Sequence, residues 1–156
     1  MSLLTDIIFV KALRSNQELM AMLPDGDVHN TTIALPDKDL DNAPLPYIIV
    51  SYDGMQNAPQ TKDAMYEDST DKVVISVEVA AKTRPDLGRL MTTVRKTIKE
   101  FFINAEPSDE DYSLVPLDYT LSASQVNYDP DKPCCWQTLQ YQCETNATDD
   151  DEQESN

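Results

Sequence analysis

Histidine, glycine and basic residues are all scarce in this 156-residue chain: it has one His, three Gly, and 12 Lys and Arg against 28 Asp and Glu. Each shortage removes a class of function. A Cys–His nucleophile pair would depend on the lone His29 meeting Cys134, Cys135 or Cys143 in space. His29 lies in a turn-rich segment, and no pattern in the chain draws those residues together. A structural zinc site wants four N/S ligands, usually with paired-cysteine spacing, which this chain lacks. Cys134 and Cys135 are adjacent, and adjacent residues of a strand point to opposite faces, so they chelate one ion poorly. The odd cysteine count reads as free thiols in a reducing compartment. No catalytic residue, metal or cofactor is expected, and the chain does not read as an enzyme.

Basic residues are too few for a nucleic-acid interface. The formal net charge is −16 and the pI about 4.1. Phosphate binding needs clustered Lys and Arg, so direct, sequence-specific nucleic-acid binding is not expected. Such acidity serves solubility, or it makes a negative surface that meets a basic partner or repels DNA. No apolar run is long enough to span a bilayer, and no membrane partner is expected. The opening MSLLTDIIFVKAL carries Asp6 and Lys11 and no preceding basic region, unlike a secretory signal.

What is present is patterned order. In VVISVEVAAKTRPDLGRLMTTVRKTIKEFF, residues 73–102, Val73, Ile75, Val77 and Val79 recur at a spacing of two, as in a half-buried strand. After Lys82 the period changes. Leu87, Leu90, Met91, Val94, Ile98 and Phe101 form one apolar stripe at helical spacing, with Arg84, Arg89, Arg95, Lys96 and Lys99 mostly off it. Thr83 is a good N-cap, Asp86 can complete a reciprocal capping pair, and Pro85 suits the first turn. This strand–helix joint holds no glycine, so it is not a phosphate loop. Gly88 lies within the helix and is expected to allow close packing.

Around this unit, residues 3–14 read as a helix with Leu4, Ile7, Ile8 and Leu13 buried and Ser2 or Thr5 near its cap. SNQELMAMLP at 15–24 reads as a second short helix capped by Ser15 or Asn16. A short extended piece is expected at 31–35. LPYIIVSYDG at 45–54 is a strand with proline at its entrance. The acidic, polar 55–71 reads as a long loop or an irregular hairpin end. Residues 104–113 form an acidic connector, 114–129 and 135–145 read as strands, and DPDKP at 129–133 turns between them. Paired strands without βαβ alternation imply α+β: a mainly antiparallel sheet with helices packed on one face. Residues 1–145 form one domain, followed by an acidic tail at 146–156 expected to be disordered.

Carboxylates are plentiful but fall in runs, such as Asp109/Glu110/Asp111, which are usually solvated. DKDLDNAPLP at 37–46 lacks the glycine and the bidentate glutamate of a calcium loop. Glu78, on the outer side of its strand, is either an exposed polar position or a contact for a basic residue of a partner.

SNQELMAML, PYIIVSYDG, DKVVISVEVAAKTRPDLGRLMTTVRKTI and the final strand pair together resemble the phage tail-completion or tail-terminator proteins, which join tail to head. The resemblance covers most of residues 3–143 and is one of core pattern and element order, with no catalytic signature. The acidic connector, the cysteine-bearing last strand and the charged tail depart from it. The resemblance implies a small α+β subunit that forms a homo-oligomeric ring, a hexamer, on the end of the tail tube. Its partners would be the tail-tube protein and the head-connector protein, and its place the host cytoplasm during assembly and then the virion tail. Met55, Met65 and Tyr66, the few apolar side chains of 53–71, are then candidates for docking to a neighbour, alongside Glu78; the plain alternative is a solvated loop. The other reading is a non-catalytic protein-binding adaptor of a mobile element with the same fold.

Overall fold

At Lys82 the spacing of apolar residues changes, and in the computed structural model the chain turns there from strand to helix. The structure describes residues 5–24, 26–30, 44–58, 70–104 and 118–146. In chain order the elements are α1 (Thr5–Arg14), α2 (Gln17–Ala21), β1 (His29–Asn30), β2 (Tyr47–Ala58), β3 (Thr70–Ala81), α3 (Arg84–Asn104), β4 (Asp118–Ala123), β5 (Asn127–Tyr128) and β6 (Cys135–Asn146). The strands form one sheet in the order β1-β2-β3-β6-β4, with β5 pairing one end of β6. Only β1–β2 is parallel; β2–β3, β3–β6, β4–β6 and β5–β6 are antiparallel. All three helices join one core on one face of the sheet, the α+β arrangement expected.

The alternation of β3 builds that core. Val73, Ile75, Val77 and Val79 are fully buried, each stabilising the fold by about 1.5–3 kcal/mol. They share a face with Cys143, Tyr141, Leu139 and Gln137 of β6, their respective cross-strand partners. Leu87, Leu90, Met91, Val94 and Ile98 of α3 close over them. Phe101 is only half-buried, and Phe102 packs on the core in its place, its ring centroid 5.3 Å from Phe9 and 6.0 Å from Tyr119.

α1 buries Phe9, Val10, Ala12 and Leu13 as well as Ile8, while Ile7 is exposed. The expectation for Ile7 fails because residues 7, 11 and 14 fall on one stripe, and Lys11 and Arg14 carry that stripe to solvent. Asn16 is the cap of α2: its Oδ1 accepts from Leu19 N–H at 3.2 Å, while its Nδ2 donates to Thr97 Oγ1 of α3 at 2.9 Å. Thr83 caps α3 by accepting from Asp86 N–H at 3.3 Å. The Asp86 carboxylate turns instead to Arg89, whose Nη1 lies 3.1 Å away.

Two strand boundaries differ from expectation. β2 and β3 continue into the polar 55–71 stretch, pairing to Ala58↔Thr70, because cross-strand bonding carries residues with little strand preference of their own. The strand expected at 114–129 is split at 124–126. There Ser124 Oγ accepts from Thr138 N–H at 3.0 Å, while Ser124 N–H donates to the Thr138 carbonyl at 2.9 Å. The expectations for 31–35, for most of the calcium-like stretch, for the 104–113 connector beyond Asn104, for the first residues 114–117 of the expected strand and for the tail from 147 lie outside the described residues.

Gly88 is not required by packing. A Cβ there would meet only Arg84 Nη1, at 3.4 Å, the free end of a flexible side chain. Gly88→Ala should therefore raise stability by about 0.5–1 kcal/mol, read as a higher melting temperature; a lower one would restore a close-packing role.

Arg14 forks onto Asp27 with Nε–Oδ1 at 2.7 Å and Nη2–Oδ2 at 3.0 Å. Partial burial pushes the Asp27 carboxyl up, but the bonds from Arg14 and from Val28 N–H outweigh it and hold its pKa below the usual value. A depressed carboxyl pKa adds stability above the unfolded-state value, and this is lost as pH falls through the folded-state value. Both side chains are about half exposed, so Asp27→Asn should cost no more than about 0.2–1 kcal/mol at pH 7. The difference should begin to shrink below about pH 4 and vanish only below the depressed folded-state value, measured by denaturant melts across that range.

Candidate functional site

With the helices on one side, the sheet turns its other face away from them, and no helix packs on it among the described residues. Cross-strand pairing defines its rows. Tyr47, Ala80 and Trp136 form one; Ile49, Glu78 and Thr138 the next; then Ser51, Ser76 and Gln140. Ala80 is buried on this face between the half-buried Tyr47 and Trp136, and Ile49 is buried beside Tyr47 in the next row. One end of the face is thus apolar and aromatic. Val74 and Gln142 continue toward the other end, where Lys72 pairs with Glu144 across the strands.

Glu78 sits near the middle of this face, half-buried, and accepts from the Tyr47 hydroxyl at 3.2 Å. Its position on a central strand follows from β3 being flanked by β2 and β6. Asp53 is exposed on β2 and accepts from the Ser76 hydroxyl.

Met55 does not belong to this face. Tyr52 pairs with Ile75, but Gly54 pairs with Val74, so Asp53 is the extra residue of a bulge. Gly54 takes φ +148°, a conformation that favours glycine. The bulge reverses the alternation and sets Met55 opposite Val73, on the helix side of the sheet. Met55 is 40 % exposed there. It lies in strand β2 rather than in a loop, and the structure does not bring it together with Glu78. Met65 and Tyr66 lie outside the described residues.

Lys72, Tyr119, Thr120, Gln142 and Glu144 line a half-open cleft of about 180 Å³, below the ~300–1,000 Å³ usual for small-molecule sites. No group of three or more His, Cys, Asp or Glu suited to a metal ion occurs among the described residues. Nor, among them, is any helix long and apolar enough to cross a membrane.

His29 pairs with Ile49, and β2 and β3 separate it from β6. Three strand spacings of ~4.8 Å put it roughly 14 Å from the backbone of β6, too far to activate a β6 thiol. The thiols are themselves held protonated. Burial pushes Cys143 up to about 12. Burial also raises Cys135 and Cys134, the latter further through its neighbour Cys135. The Cys135 thiol donates to the Ala81 carbonyl at 3.6 Å.

The helix side carries a different chemistry. On α3, Arg89 pairs with Asp86 and Lys96 with Glu100, at 3.1 and 3.9 Å. Arg84, Arg95 and Lys99 are exposed. Their spacing puts them within about 60° of one another around the helix, at ~100° per residue. Sequence reasoning noted these cations but not this clustering, which a helical projection shows. That Tyr47 and Trp136 share a row is visible only in the β2–β3–β6 register.

No family model matches this chain, and no curated protein matches it.

All three cysteines are free, with Cys134 half-buried just before β6 and the other two buried. At mildly alkaline pH the native protein should titrate about one thiol, Cys134, with a thiol reagent, and all three after denaturation. Rapid native labelling of Cys143 would show that its strand opens.

Proposed function

We propose that this chain is a structural assembly protein of a phage or prophage tail, which ends the tail tube and joins it to the head connector as a ring, in the simplest case a hexamer. The observation that carries this reading is the one-sided sheet. Helices brace one face, and the opposite face holds Tyr47, Ile49, Val74 and Trp136 among short polar side chains, on which no helix packs among the described residues. A surface of this composition suits protein contact better than substrate enclosure. The order of helices and strands supports the same reading, because it is the order through which the sequence resembles tail-terminator proteins. The strong net acidity suits a passage that DNA must cross without adhering. On this reading the protein works in the host cytoplasm during assembly and remains in the virion tail. Its partners are copies of itself, the tail-tube protein and the head connector.

The experiment is recovery from source cells. The tagged full chain, purified after prophage induction, should bring down a tail-tube or head-connector protein, and added to tubes it should sit at their ends in electron micrographs. Recovery of cellular proteins alone, with bare tube ends, would overturn the tail role and leave the adaptor reading.

A further inference from the structure

Among the described residues the charges are separated by layer. Residues 5–24 and 82–104, which hold the three helices, contain eight of the twelve Lys and Arg but only four of the 28 Asp and Glu. The helix layer is therefore +4, and the other described residues, with two cations and eight carboxylates, are −6. Within that layer Asp86 and Glu100 neutralise Arg89 and Lys96 on one flank of α3. Arg84, Arg95 and Lys99 form no ion pair among the described residues and make the opposite flank basic. The outer sheet face carries Asp53, Glu78 and Glu144, with Lys72 as its one cation among the described residues.

We propose that the basic flank of α3 in one copy docks on the outer sheet face of a second copy. The contact is heterologous, helix layer to sheet face, so repeated addition closes a ring or runs on as a filament. The proposal rests on the assembly reading and supplies its interface. Two copies of net charge −16 repel at long range. That repulsion is screened over ~8 Å at physiological salt, whereas ion pairs at contact survive. Of the possible approaches, sheet to sheet brings carboxylates together and helix to helix brings cations together. Only the helix-to-sheet approach matches opposite charges, and such matching sets partner orientation and register. The aromatic end of the sheet face, Tyr47 and Trp136, then supplies apolar contact area beside the charges.

The test is charge reversal in the full chain, read by analytical ultracentrifugation in solution and by electron microscopy on tail tubes. R95E/K99E should weaken self-association at least about tenfold, and E78K/E144K should do the same. An equimolar mixture of the two should restore it, because each altered surface then faces its complement and the remaining contacts are wild type. A mixture no better than either variant alone would overturn the proposal. Should E78K/E144K fail to fold by circular dichroism, the exposed R95E/K99E variant decides by itself: assembly at the wild-type level would also overturn the proposal. If the wild type stays monomeric in solution and leaves tube ends bare, the assembly reading falls with it; if the wild type assembles and the charges prove indifferent, only this interface falls.

Discussion

Tyr141 holds the two layers of this protein together. Its ring lies 5.1 Å from Phe9 of α1 and 5.5 Å from Tyr119 of β4. Phe102 of α3 closes the circuit, at 5.3 Å from Phe9 and 6.0 Å from Tyr119. Four rings from four elements thus meet at one point, where tilted and edge contacts each add about 0.5–1.5 kcal/mol beyond burial. The Tyr141 hydroxyl is buried without a hydrogen-bond partner among the described residues, which costs about 1–3 kcal/mol. The summed ring contacts and the buried area exceed that cost. The same burial raises the phenol pKa, so the ring remains neutral. If the last strand lost this anchor, β4 would lose its place, because β4 pairs with nothing but β6 among the described residues.

The position of β6 follows from the same constraint. It is the last element in sequence yet lies between β3 and β4. Its odd-numbered residues complete the core begun by β3, and its even-numbered residues complete the outer face. One strand therefore decides both the stability of the domain and the composition of the surface proposed for assembly. Helices on one side of the sheet and none on the other, among the described residues, also separate the charges. The cations of α3 face away from the core because its apolar stripe faces in, and Glu78 faces outward because Val77 and Val79 face inward. Charge polarity here is a consequence of amphipathic patterning in two adjoining elements.

Much of this could be read directly from residue order. The strand–helix unit at 73–102 has a period of two, then a cap, then a period near 3.6, and each signal is local. The helix cap at Thr83, the core face of β3, the alternation of β6 and the α+β class all follow from such short-range rules. The candidate site was legible only in part. Glu78 could be placed on an outer face from its neighbours alone. Met55 could not be placed, because the bulge at Asp53 and Gly54 exists only in relation to the paired strand β3, and it inverts the face that alternation assigns.

Periodicity, capping and composition by themselves determined the type of each long element, its buried side and the overall acidity. They act within a turn or a few strand residues, so they survive without knowledge of the fold. Tertiary structure alone decided which strands are neighbours, that Phe102 rather than Phe101 reaches the core, that polar residues 55–58 extend a strand, and that Tyr47, Glu78 and Trp136 share one surface. Each of these depends on contacts between residues far apart in the chain. Such contacts form only when the whole sheet fixes its register, and no local pattern encodes which distant strand supplies them.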